Sequence, residues 1–306
     1  MRKQNTIAKK FEFEGVGLHS GLKSHVVVRP APENTGIIFL YNDGKQKEFI
    51  PFSADYVTDT RNNISISNGR AVVKTVEHLT SALFSMKIDN CIVEINGKEM
   101  PILDGSARVF VEKIMEAEIL EQSLEKPELV IINPVWVRHE DKFIVVLPYG
   151  GLKVNFTISF PNSTIGTQNF MFEYSKENYL KEIAEARTFG FIEDIDEYTR
   201  QGLILGANFE NVHVFSKKEN RCINGSRYND EPVRHKVLDI FGALALLPFD
   251  LKGYIISYRG GHHIDVLFVK KILEYYYSSF PEKTVTSEKP YKPFYGLYDF
   301  LEDKIQ

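Results

Sequence analysis

Residues 231–247 read EPVRHKVLDIFGALALL, an apolar run of helical length broken by His235, Lys236 and Asp239, groups that a protein core accepts only with partners. Positions 235 and 239 are one helical turn apart, so the imidazole and the carboxylate share a face. At that spacing they either hydrogen-bond to each other or hold a metal ion together. A second half-site lies at 75–86, TVEHLTSALFSM, read as a short apolar helix that opens on Thr75 as N-cap with Glu77 and His78 in its first turn. One histidine added to HxxxD gives the three-ligand set of catalytic zinc, with a position left open for water. Adjacent helical residues point about 100° apart, so one of Glu77 and His78 ligates while the other reaches the water. The pattern points to metal-assisted hydrolysis.

Each of these helices is followed by an apolar strand, NCIVEI in the first half and GYIISY in the second. Strand-like runs precede them, among them GIIFLY, KFIVVLP and GLKVNFTISF, and further helices are expected at about 108–118, 176–186 and 264–276. The fold class is therefore α+β, in two similar domains. The polar stretch LEQSLEKP, ending at Pro127, marks the boundary, giving domains 1–126 and 127–283. A tail, 284–306, is aromatic and Pro-interrupted, and is expected to pack loosely or cover a neighbour.

The 306 residues are 43% hydrophobic with a formal net charge of −4, a balance that excludes disorder and offers no basic field for nucleic acid or an anionic bilayer. The basic N-terminus lacks an apolar signal region, and no run of about 18 apolar residues occurs. The expectation is a cytoplasmic protein without a membrane span. Cys91 and Cys222 form no CxxC pair and are read as free thiols.

The motifs GVGLHSG, TVEHLTSAL, PILDGSA, EARTFGF, EPVRHKVLD and YRGGH, in this order and spacing, closely resemble the UDP-3-O-acyl-N-acetylglucosamine deacetylases, the zinc amidases of lipid A biosynthesis. The resemblance runs from about Phe11 to Leu273. It implies two α+β domains with their helices sandwiched between two sheets, and an active site at the interface. It assigns His78, His235 and Asp239 as ligands of zinc, with iron as the alternative ion, and Glu77 as the general base toward water. His262, in the turn RGGH, matches the general acid or oxyanion stabiliser, and Thr188 the hydroxyl that polarises the scissile carbonyl. For the substrate, a UDP-linked acylated glucosamine, the resemblance gives Phe160 and Phe189 to the uracil and Asp194 to the uridine. It places Lys236 and Lys142 near the phosphates and sugar, and ties His19 to substrate binding. Asp104 is the carboxylate of the LDGS turn.

The segment at about 190–219 resembles the insert that forms the acyl-chain passage, with Ile192, Leu203, Ile204 and Leu205 as candidate lining. A monomer is expected. One departure stands near the chemistry: the family's motif continues HKxLDxxGD, whereas this chain reads HKVLDIFGA. Ala243 thus replaces a carboxylate that orients the histidine matching His262, and Asp265 is a possible substitute. The alternative to an enzyme is a protein that binds zinc and an acylated nucleotide sugar with reduced or lost turnover.

Overall fold

The computed structural model describes residues 1–161 and 163–279; the tail falls outside them. Its helices are α1 (Glu77–Ser85), α2 (Arg108–Glu116), α3 (Lys176–Glu182), α4 (Ile195–Arg200), α5 (Glu231–Leu244) and α6 (His262–Ser279). None among the described residues is long and apolar enough to cross a membrane.

Two large sheets repeat one plan. In the first, the spatial order is Phe11–Val16, Lys23–Pro30, Cys91–Ile95, Ile37–Asn42, Lys47–Pro51. In the second it is Val135–His139, Lys142–Leu147, Asp250–Tyr258, Leu152–Phe160, Gly166–Glu173, with Glu128–Val130 also pairing to Asp250–Tyr258. In both, the central strand comes last in sequence, antiparallel to one neighbour and parallel to the other. A parallel neighbour is not reached through a tight turn, so the chain returns by way of α1 in the first half and α5 in the second. The helix-then-strand echo in the sequence is thus a repeat of topology.

Strands with one buried face alternate: Val154, Phe156 and Ile158 point inward along Leu152–Phe160. The helices α1 and α5 are buried over almost their whole length, whereas α2 buries one face only. Leu79, Ala82 and Leu83 of α1 join Val237, Leu238, Phe241 and Leu244 of α5 and the inner faces of both sheets in one continuous core. Each buried Leu or Phe contributes about 1.5–3 kcal/mol. The two helices cross at Gly242, where a Cβ would stand 2.4 Å from the Glu77 carbonyl oxygen, and Thr80 Oγ1 donates to the Gly242 carbonyl at 3.1 Å. That approach sets Glu77 and His78 opposite His235 and Asp239.

Several local expectations are corrected. Thr75 is not an N-cap. Its backbone is left-handed (φ 57°) and its hydroxyl donates to Glu99 at 3.0 Å, so α1 starts at Glu77 without a side-chain cap. His262 is not in a turn but is the first residue of α6, because the preceding glycines release the chain straight into the helix. The helix expected to reach Glu118 stops at Glu116, since Glu118 turns left-handed (φ 59°). The polar stretch before Pro127 is largely a strand, Ile119–Glu125, paired with Lys3–Ile7.

Candidate active site

The α5 helix brings His235 Nε2 to 3.3 Å from Asp239 Oδ1, the outcome of their one-turn spacing. With His78 from α1 they form a buried group whose potential ligand atoms all lie within 4.8 Å of one another. Its chemistry suits a cation. His235 Nδ1 lies 3.0 Å from the Ala186 carbonyl oxygen, which can only accept, so Nδ1 carries the proton and Nε2 keeps its lone pair. Asp239 Oδ2 accepts from Lys236 Nζ at 2.7 Å, while Oδ1 is buried with no hydrogen-bond partner, as is His78 Nδ1.

Electrostatics act the same way. Burial, reinforced by His235, pushes His78 down to about 3, and burial also lowers His235, so both rings are neutral ligands at pH 7. Burial alone would raise the Asp239 carboxyl, but the facing groups His235, Lys236 and His262 outweigh it, and at pH 7 it is the Lys236 ammonium that holds Asp239 ionised. Two neutral imidazoles and one carboxylate fit a borderline divalent ion.

Glu77 stands beside this group at the start of α1. Its Oε2 accepts from the Ile64 N–H at 3.0 Å, leaving Oε1 aimed into the gap, 3.8 Å from His262 Nε2. His262 Nε2 is also 4.0 Å from Asp239 Oδ2. Burial, then the Asp239 charge, raises Glu77 to about 8; a cation at the site would favour its ionised form.

The anticipated ligands, the catalytic candidates and the nucleotide- and sugar-contact candidates all line one cavity of about 720 Å³, while Ile192, Leu203 and Leu205, expected along the acyl passage, do not. Phe160 and Phe189 meet edge-to-face with centroids 5.6 Å apart, and Lys236 Nζ lies 5.6 Å from the Phe189 ring centre. Two assignments look different in place. Lys236 spends a hydrogen bond on Asp239, and Asp194 holds Lys217 Nζ at 2.6 and 2.8 Å. Of the apolar insert residues, Ile204 lines the cavity together with Ile195, Tyr198 and Phe209, while Leu205 is 53% exposed.

Asp104 serves the scaffold. Its Oδ1 accepts from Ser106 and its Oδ2 from Arg227 at 2.9 Å, in a turn whose Gly105 carbonyl accepts the Thr188 N–H at 2.7 Å. Glu99 was not singled out from the sequence. It is buried, accepts the His19 N–H at 2.8 Å and the Ser20 N–H at 2.7 Å, and so builds the turn that carries His19. Also missed were His139 and His263, whose rings meet at 4.8 Å on the cavity wall; His139 ends a strand and His263 is the second residue of α6, with no spacing to link them.

The sequence profile described as LpxC, UDP-3-O-acyl N-acetylglycosamine deacetylase, matches residues 4–274. The chain belongs to this deacetylase family. It is 39% identical over 274 residues to the UDP-3-O-acyl-N-acetylglucosamine deacetylase of Campylobacter jejuni subsp. jejuni, covering 89% of this chain and 92% of that one. It is 38% identical over 272 residues to the protein of that name from a Nitratiruptor species, covering 89% and 91%. To that from Acidithiobacillus ferrooxidans it is 39% identical over 277 residues, covering 89% and 90%.

Position 243, where the resemblance leads one to expect a carboxylate, has a definite structural setting. Ala243 is fully buried on α5, one turn beyond Asp239. His262 Nδ1 is buried without a hydrogen-bond partner, and burial lowers the ring to about 4. Asp265, one turn along α6, is also fully buried with neither oxygen hydrogen-bonded, and burial followed by the Asp239 charge raises it to about 7. Ala243→Asp is expected to favour the imidazolium of His262 and so raise its pKa. A reaction needing protonated His262 fails as pH rises through that pKa, so the alkaline limb of kcat/KM should move to higher pH. An unchanged limb contradicts a role for position 243 in orienting His262.

Proposed function

We propose that the protein hydrolyses the N-acetyl group of UDP-3-O-acyl-N-acetylglucosamine, releasing acetate and the free amine, the committed step of lipid A biosynthesis. The observation that carries this reading is the buried His78, His235 and Asp239 group with Glu77 and His262 facing the same gap. Zinc is the proposed ion, with iron as the alternative; bound there it would act as a Lewis acid toward water and the amide carbonyl. Lys236 keeps Asp239 ionised and oriented. Glu77, pinned at Oε2 by Ile64, offers Oε1 to take the proton of the attacking water. His262, opposite, supplies a proton or positive charge where the carbonyl oxygen gains negative charge. Thr188 donates its hydroxyl to the same oxygen.

We assign the edge-to-face pair Phe160 and Phe189 to the uracil, Asp194 to the uridine, and Lys142, Lys236 and His19 to the sugar and phosphates. The apolar wall from the insert at 190–219 takes the acyl chain. We take 1–126 and 127–283 as the two domains, and place the reaction in the cytoplasm. A monomer suffices, because one chain supplies every residue of the site. The test is acetate release from the purified protein with the UDP-linked substrate. Turnover abolished by a chelator and restored by zinc is expected; tight binding of substrate and metal without acetate would favour a binding protein instead.

A further inference from the structure

Behind the wall of this cavity lies a second cluster that the proposed reaction does not use. Strands His213–Ser216 and Arg221–Cys222 pair so that the His213 ring faces the Cys222 thiol, with Nε2 3.1 Å from Sγ. Ser226 Oγ is 2.9 Å from the same nitrogen. On the other side of the ring, Nδ1 is 3.4 Å from Glu231 Oε2, close enough for attraction although not aligned as a hydrogen bond. Glu231 is fully buried and held by Arg187, whose Nε donates at 2.8 Å, and by the Arg227 N–H at 2.7 Å.

The charges decide the tautomer. A carboxylate beside Nδ1 favours the proton there, which leaves Nε2 as an acceptor facing an S–H and an O–H. Burial lowers His213 to about 4, Glu231 acts against this, and Arg187, Arg227 and His235 add to it, so the ring is neutral at pH 7; the thiolate that forms 3.1 Å away is what would hold the imidazolium once the proton has moved. Cys222 is half-buried, while Cys91 is fully buried and its thiol is pushed up by that burial. A thiol, a neutral imidazole acceptor and a carboxylate on the far nitrogen form the arrangement that activates a nucleophile.

We propose that Cys222 is a modification site, a nucleophilic thiol open to small soft electrophiles, with His213 Nε2 as its proton acceptor. In the step, the S–H proton passes to Nε2 and sulfur forms a bond to the electrophilic carbon. The leaving group departs with the electron pair of the broken bond. The site is wired to the cavity in front of it. The His213 N–H donates to the Thr188 carbonyl at 2.8 Å, and Arg187 adjoins Ala186, whose carbonyl fixes the metal-binding face of His235. An adduct that displaces the His213 ring therefore disturbs Thr188 and His235 together. The thiol chemistry is independent of the proposed deacetylation; only the activity readout rests on it.

The probe is iodoacetamide on the folded protein at pH 7, followed by intact mass and peptide mapping, with acetate release measured in parallel. The expected result is one adduct, on Cys222, and loss of deacetylation in step with it. Cys222→Ser should keep its activity and resist the reagent. His213→Gln should slow the adduct by about tenfold or more, short of the 10²–10⁴ that an aligned base supplies at a catalytic site. Ser226→Ala, a change at an exposed side chain, should speed it by removing the hydroxyl that competes for Nε2; this variant decides the matter should His213→Gln fail to fold. No adduct on Cys222, or wild-type adduct rates in the folded variants, would overturn the proposal. An adduct that leaves activity intact would overturn its coupling to the cavity.

Discussion

Glu77→Gln is expected to lower kcat by about 10²–10⁴-fold, the usual loss on removing a general base, while the protein keeps its fold and its metal. Glu77 is 2% exposed, and glutamine matches its shape, so the packing of α1 against Ile64 survives. The amide oxygen can still accept the Ile64 N–H that Oε2 now accepts at 3.0 Å. What it cannot do is take a proton from water in the gap toward His262. Glu77 is also outside the group that brings three donor atoms within 4.8 Å, so its loss should leave the metal content unchanged. Single-turnover rates alongside metal analysis make the check. A near-native kcat removes Glu77 from the role, and loss of metal would make it a ligand.

His78→Ala should abolish metal and activity together. Two donors then remain on α5, and His235 and Asp239 are already in contact at 3.3 Å. Without the α1 ligand only these two donor atoms face the site, and Lys236 already offsets the charge of the carboxylate. Two donors from one helix fall short of the three protein ligands that such a site uses to hold a dication. Metal analysis after dialysis, with acetate release on the same sample, gives the answer; full occupancy in the variant contradicts the ligand set.

Whatever depends on local spacing was legible in the sequence. His235 and Asp239 share a helical face because of their separation, and the alternation along Leu152–Phe160 gave its buried side. That His78 meets them is a long-range fact, set by the crossing of α1 and α5 at Gly242; the chemistry of a three-ligand set suggested the link between the two stretches, and the family resemblance assigned it. The ribbon of Lys3–Ile7 with Ile119–Glu125 was hidden because the second strand is polar and largely exposed, with no apolar face to announce it. Thr75 misled for a physical reason. Its sequence context suits a cap, yet the buried Glu99 takes its hydroxyl and the backbone turns left-handed instead. Glu99 itself carried no signal, since a charged residue before Met100 and Pro101 reads as an exposed loop.

The most direct test is a crystal of the protein as purified, with diffraction measured on both sides of the zinc absorption edge. The account predicts one anomalous peak per chain, about 2.0–2.2 Å from a ring nitrogen of His78, Nε2 of His235 and a carboxylate oxygen of Asp239, with Glu77 outside ligating distance. A peak that is unchanged across the zinc edge but falls away below that of iron would change the ion and keep the site. A metal bound elsewhere, or one held by Glu77 in place of any of the three, would contradict the account.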